Sequence, residues 1–231
     1  MHDFGLPPKV RPEAQVCLID RDFLERCATL IFSTEVNEKQ HRAAQNFTES
    51  ALRLSRKRGQ LTELARPWGP PPIGFSEAQQ HSLYDLSESY FQGVYNTLSK
   101  LAATTVVFPE IFPGIPWRSM EKFLRHLGQL PEISHACDVL EAARTYRTHL
   151  DHPAGTPVSN WMTTWLPDDR GVVIYHYGRF GQSGKMPEGA NDQPPWFPLT
   201  VDWYVDPPFF PYVDEALKMI TEYIFNAIAA Y

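Results

Sequence analysis

The sequence predicts a mainly α protein: a helical bundle with a two-stranded β-ribbon inserted before the C-terminal helix. Apolar residues recur at helical spacing through most of the chain, as in Leu83, Leu86, Tyr90, Val94, Leu98 and Leu101. Proline-rich breaks, RPWGPPPIGF at 66–75 and FPEIFPGIP at 108–116, separate these runs. Proline removes a backbone donor and clashes with the preceding turn, so neither break can be helix interior. β-leaning texture gathers late in the chain, where GVVIYHYG (171–178) and PLTVDWYV (198–205) read as two strands joined by a long glycine-rich loop.

The elements follow in order. Residues 1–15 hold three prolines and several charges and read as a loose arm. Residues 16–231 read as one helical-bundle domain, with the ribbon at about 171–205. A first helix spans about 20–32, with Phe23, Leu24, Cys27, Leu30 and Ile31 on one face. A second spans about 37–58. Its apolar content is thin (Ala43, Ala44, Phe47, Ala51, Leu52, Leu54), and Gly59 is expected to stop it. Ser76 caps the long third helix. The fourth, about 117–127, places Met120, Phe123, Leu124 and Leu127 together. Pro131 suits the first turn of the fifth, which runs through Ile133, Ala136, Leu140 and Ala143. The aromatic stretch VSNWMTTWL after Pro153 leans towards β. The last helix carries Val213, Ala216, Leu217, Ile220, Ile224, Ala227 and Ile228 on one face. Asp214 and Glu215 are expected in its first turn, where the helix dipole favours acids.

Composition bounds the function. With 43% apolar and 21% charged residues over 231 positions, the chain is long enough for a real core. A net charge of -6 disfavours broad coverage of nucleic acid, so RNA binding would need a local basic patch. Cys17, Cys27 and Cys137 are widely spaced with no CxxC pair, which reads as reduced core thiols in a cytoplasmic protein. The N-terminus lacks the apolar core of a signal peptide. No run approaches the ~18 apolar residues needed to span a bilayer, so no membrane association is expected.

Most motif-like stretches dissolve on inspection. GRFGQSGK fails as a phosphate loop: position 179 is Arg where glycine is required, and Met186 follows the lysine. His149 and His152 stand three apart, but a zinc site needs further convergent ligands, and neither a metal nor a cofactor is expected. There is no GxSxG, and Cys137 lies among core positions. RLSRKRG (53–59) places Arg53, Arg56, Lys57 and Arg58 in six residues. This is either a nucleic-acid-binding patch or the charged end of a helix. The aromatics Trp161, Trp165, Tyr175, Tyr177, Trp196, Trp203 and Tyr204 would serve as core, as a contact surface, or as the cover of a small-molecule site.

The stretch RTYRTHLDHP (144–153) carries more chemistry. Ala136, Leu140, Ala143, Arg147 and Leu150 fall on one helical stripe, so Arg147 lies on the face that should be buried. Such an arginine must find a partner, snorkel, or point into a shared interface. His152 precedes Pro153 and is pushed out of helical geometry at the helix C-terminus, where the dipole favours its protonation. Arginine can hold charge on a phosphate and histidine can move a proton near neutral pH. Two readings stand: a phosphoryl-transfer pair, or a helix end in which Arg147 pairs with Asp138 or Asp151 and His152 caps carbonyls.

RTHLDH (147–152) is an arginine, four residues, then a histidine, and RTYRTH (144–149) repeats the spacing. This resembles the R-x4-H motif of HEPN domains and is similar to the RNHFEH-type sequences of bacterial relatives of that superfamily. The resemblance covers about residues 76–155, and its specific part is the six-residue motif. It implies a compact helical bundle and a homodimer in which motif residues of both chains line one cleft. It also implies metal-independent RNA cleavage, with Arg147 stabilising phosphorane-like charge and His152 as acid or base. Arg144, Thr148, His149 and Asp151 would support them. The chain departs from the pattern at Thr148, where the family commonly has Asn, Asp or His; many relatives are non-catalytic interaction partners.

Overall fold

The computed structural model describes residues 21–32, 36–64, 77–151, 161–165, 172–176, 198–200 and 209–231. These residues are mainly helical, with six helices: α1 (Arg21–Phe32), α2 (Glu38–Leu64), α3 (Glu77–Val106), α4 (Met120–Leu127), α5 (Ser134–Asp151) and α6 (Phe209–Ala229). Between α5 and α6 lie three short strands, β1 (Trp161–Trp165), β2 (Val172–His176) and β3 (Pro198–Thr200). They pair antiparallel in the order β1-β2-β3, with Trp161 opposite His176 and Ile174 opposite Leu199. The N-terminal arm, Cys17, Ser76, the glycine-rich loop and Tyr177, Trp196, Trp203 and Tyr204 lie outside the described residues.

Helix ends differ from the sequence expectations where packing outweighs local signals. Gly59 does not stop α2, which continues to Leu64. Leu54, Arg58 and Leu61 are all buried at i, i+4 and i+7, so one buried face runs straight past the glycine. α4 begins at Met120 rather than near Trp117, because the Ser119 side chain accepts from the Lys122 N–H as its cap. Pro131 lies in the turn ahead of α5 rather than in its first turn; Ile133 N–H donates to Leu130 O and Ile133 O accepts from Cys137 N–H. α6 starts four residues before Val213, with Pro211 near its start, where a missing N–H costs little. Asp214 is therefore inside the helix and not at its charged end. In the proline-rich 108–116 stretch, Gly114 takes the left-handed φ of +69° that allows the chain to turn back towards α4.

Contacts divide the chain into two units: Met1–Val16 with Gln60–Glu88 and Thr148–Pro211, and Cys17–Gly59 with Ser89–Arg147 and Tyr212–Tyr231. The second unit holds the larger described core. Phe23, Leu24 and Cys27 of α1, Phe47 and Leu54 of α2, and Phe91, Val94 and Leu98 of α3 are buried there. So are Phe123 and Leu124 of α4, Leu140 of α5, and Ile220, Ile224 and Phe225 of α6. Phe47 and Phe225 meet at 5.4 Å between ring centroids in a tilted contact.

α2 and α3 pack antiparallel along a ladder of polar rungs. Gln40 donates to Val107 O at 3.1 Å, Thr104 lies against Ala43 O, and Ser50 shares a hydrogen bond with Thr97 at 3.1 Å. At the far end the Lys57 ammonium donates to the Ser89 carbonyl at 3.0 Å and to its hydroxyl at 2.5 Å. α2 itself opens with a reciprocal cap: Asn37 Oδ1 accepts from the Lys39 and Gln40 N–H groups, and Gln40 Oε1 accepts from Asn37 N–H.

Candidate functional site

The stripe that carries Arg147 is built as its spacing requires. Ala136, Leu140 and Ala143 are buried on α5, and Arg147 follows at the same face, half-buried. There it meets α3. Arg147 Nε donates to Gln92 Oε1 at 3.0 Å, and its guanidinium carbon lies 4.5 Å from the centroid of the Tyr95 ring. Gln92 Nε2 in turn donates to Asn96 Oδ1 at 3.2 Å, one turn along α3. The arginine is thus held in its plane by an amide and from one side by a ring.

Arg144 has a different environment. Its Nε and Nη2 grip Glu141 Oε2 and Oε1 at 2.7 and 2.5 Å, a two-pronged bridge one turn back on α5. That hydrogen bonding raises the Arg144 pKa further, against the opposing pull of burial. The two arginines of the repeated R-x4-H spacing are therefore not equivalent. Asp138, one of the acids expected to pair with Arg147, is exposed and nine residues back, roughly 13 Å along the helix axis. It is not the partner. Thr148, His149 and Asp151 complete α5, but their side chains lie outside the described residues, as does His152 altogether.

The four cations of RLSRKRG do not form one patch. Arg53 and Arg56 are exposed, Arg53 lying 3.6 Å from Glu49. Lys57 is turned onto Ser89, and its partial burial lowers the ammonium pKa. Arg58 is only 5% exposed and donates through Nε to Asp214 Oδ2 at 2.9 Å. An arginine held there cannot also reach a phosphate backbone.

That pairing is part of a buried polar centre. Asp214 Oδ1 accepts from the Tyr90 hydroxyl at 2.7 Å, so α2, α3 and α6 each contribute one member. Burial pushes the Asp214 carboxyl up from its usual range, while Arg58 and the Tyr90 hydroxyl pull it back. Cys27 and Cys137 are buried thiols, both pushed up to about 12 chiefly by burial. Among the described residues, no group of three or more His, Cys, Asp or Glu is placed to hold a metal. Nor is any helix among them long and apolar enough to cross a membrane.

The buried centre and the Gln92–Tyr95 cradle are both absent from the sequence expectations. A signal for the first existed. Asp214, Leu217, Thr221, Ile224 and Ile228 fall on one stripe of α6, and an acid on a buried stripe calls for a cation. The same logic that singled out Arg147 would have singled out Asp214. Searches of protein-family models, curated proteins and solved structures returned no match to this chain.

Proposed function

We propose that the chain is a HEPN-like protein that acts as a cytoplasmic homodimer and cleaves RNA without metal, using Arg147 and His152. The strands between α5 and α6 are read as a ribbon inserted into the helical bundle. In the reaction, His152 takes the proton of a ribose 2′-OH and the 2′-oxygen attacks the adjacent phosphorus. The bond to the 5′-oxygen breaks, and that oxygen receives a proton from the protonated His152 of the second copy of the chain. Arg147 bears the charge that builds on the phosphorane. Arg144 belongs to the supporting set with Thr148, His149 and Asp151.

One observation carries this reading: Arg147, on the inward stripe of α5, is oriented by a neutral amide and an aromatic ring. The test is cleavage of a single-stranded RNA in excess EDTA. Wild-type protein is expected to cut, and Arg147→Ala and His152→Ala each to lose about two to four orders of magnitude in rate. Cleavage that persists unchanged in both variants removes the motif from the chemistry.

A second reading is a non-catalytic interaction scaffold on the same bundle. The inward engagement of Lys57 and Arg58 favours it, because it leaves Arg53 and Arg56 as the outward cations of that segment. Under this reading RNA is neither cut nor bound above the background of an acidic protein.

A further inference from the structure

We propose that the groove between the start of α2 and the end of α3 binds a small organic phosphate, a phosphomonoester with an apolar body. This site is independent of the reading of Arg147.

The groove encloses about 450 Å³, within the range of about 300–1,000 Å³ usual for small-molecule sites. Lys39, Arg42, Ala43 and Asn46 stand at i, i+3, i+4 and i+7 and so share one face of α2. Lys100, Ala103 and Val107 form the opposite wall. Two hydrogen bonds tie the walls together: Gln40 donates to Val107 O, and the Thr104 hydroxyl donates to Ala43 O.

The lining selects for charge. Lys39, Arg42 and Lys100 stand against one carboxylate, Glu38, which leaves two positive charges in excess on a chain of net charge -6. Glu38 engages Arg42 at 2.6 Å, but both side chains are largely exposed, and such a pair holds its arginine weakly. Among the described residues no carboxylate pairs with Lys39 or Lys100, and no acid lies within four positions of Lys100 in either direction. The α2 N-terminus is not the anion holder, because the Lys39 and Gln40 N–H groups already donate to Asn37 Oδ1. A carboxylate or a sulfate ester brings one negative charge. A phosphomonoester brings about 1.5 to 2 at pH 7 and three acceptor oxygens, which matches the excess. Lysine meets phosphate as a point charge and arginine as a fork. Asn46 adds a side-chain amide, and Ala43, Ala103 and Val107 give the organic body an apolar wall.

The experiment titrates phenyl phosphate, phenyl sulfate and inorganic phosphate into the protein at pH 8. Binding is followed by NMR shifts of the Asn46 side-chain amide and the Ala103 backbone amide. Phenyl phosphate is expected to bind with a Kd of about 0.1–1 mM. Phenyl sulfate, of the same shape with one charge fewer, should bind roughly five- to tenfold more weakly. Inorganic phosphate, which lacks the apolar body, should also bind more weakly. Affinity for phenyl phosphate should fall as pH drops through about 6, where the phosphate gains its second proton. Lys39→Gln with Lys100→Gln should weaken it roughly tenfold or more, whereas Lys122→Gln, on α4 and outside the groove, should not. Thermal melting of each variant shows that the fold is kept. No saturable shift at about 10 mM phenyl phosphate overturns the site. So does equal affinity in the double-lysine variant and wild type. Equal affinity for the sulfate and the phosphate overturns the choice of a dianion. Displacement of phenyl phosphate by a 2′-deoxy oligonucleotide at far lower concentration overturns the small ligand in favour of a nucleic-acid backbone.

Discussion

Asp214 is 2% exposed and faces Arg58, itself 5% exposed. Removing one member of such a pair leaves the other buried and uncompensated, which costs about 3–5 kcal/mol. Asp214→Ala should therefore lower unfolding free energy by that amount in urea denaturation. Tyr90→Phe, which deletes one hydrogen bond to the carboxylate, should cost about 1.5–3 kcal/mol. Replacing both charges with apolar residues of similar size, Arg58→Met with Asp214→Leu, should recover most of the loss, because no charge is then left in the core. A double variant as unstable as the sum of the singles would mean the pair is not the coupled unit its geometry describes. The thiols give a pH dependence. Cys27 and Cys137 are pushed up to about 12 from an ordinary value of 9.0. Between those values the folded chain holds protons that the unfolded chain has lost, so stability falls as pH rises from about 9 towards 12. Urea midpoints measured across that range should decline, and Cys27→Ser with Cys137→Ser should flatten the slope. At residue scale the sequence revealed positions more readily than partners. Arg147 could be placed on an inward stripe from spacing alone. Gln92 and Tyr95 lie over fifty residues earlier on another helix, and no local rule links them to it.

α2 and α3 lie close together at Gly93. A Cβ added there would lie 3.0 Å from Leu54 Cδ1 and 3.8 Å from Lys57 Cδ. In an exposed helix, Gly→Ala gains about 1 kcal/mol of propensity. Here Leu54 is 1% exposed and has little room to yield, and overpacking costs about 1–3 kcal/mol. Gly93→Ala should thus be destabilising by about 1 kcal/mol in spite of its propensity. Adding Leu54→Val should reverse part of that loss, with a coupling of about 0.5 kcal/mol or more in a double-mutant cycle. A stabilised Gly93→Ala would show that the helices can part slightly without loss. This contact also explains which helix boundaries were legible. The amphipathic stripes of α3, α4 and α6 are readable because their own periodicity defines a buried face. The end of α2 is not, because Gly59 is a stop signal only in isolation, and Leu61 is buried beyond it. The start of α6 is missed for a related reason: proline reads as a breaker, yet its missing N–H is harmless in a first turn. Local chemistry proposes helix ends, and burial of the next apolar turn decides them.

At the scale of the whole molecule, charge sets what kind of RNA contact the proposed activity can use. The chain carries a net charge of -6, and two copies double it. Each phosphate contact releases counterions, so the logarithm of affinity for single strands falls with the logarithm of salt with a slope of about 0.7 per contact. A protein that covers the backbone with many cations loses about three to five orders of magnitude between 50 and 200 mM salt. Here Arg58 is buried on Asp214 and Lys57 is turned onto Ser89, so the basic segment of α2 supplies little. If the two Arg147 guanidiniums of a homodimer are the phosphate contacts, the fourfold rise in salt should weaken binding only about sevenfold. The measurement is fluorescence anisotropy of a short RNA carrying a 2′-deoxy substitution at the cut site, titrated in EDTA at both salt concentrations. Sedimentation should give about twice the 26.5 kDa chain mass under the same conditions. A loss of a thousandfold would place a broad basic footprint elsewhere on the dimer. Binding independent of salt would mean that no phosphate is engaged, and the interaction-scaffold reading would then account for the bundle better than cleavage does.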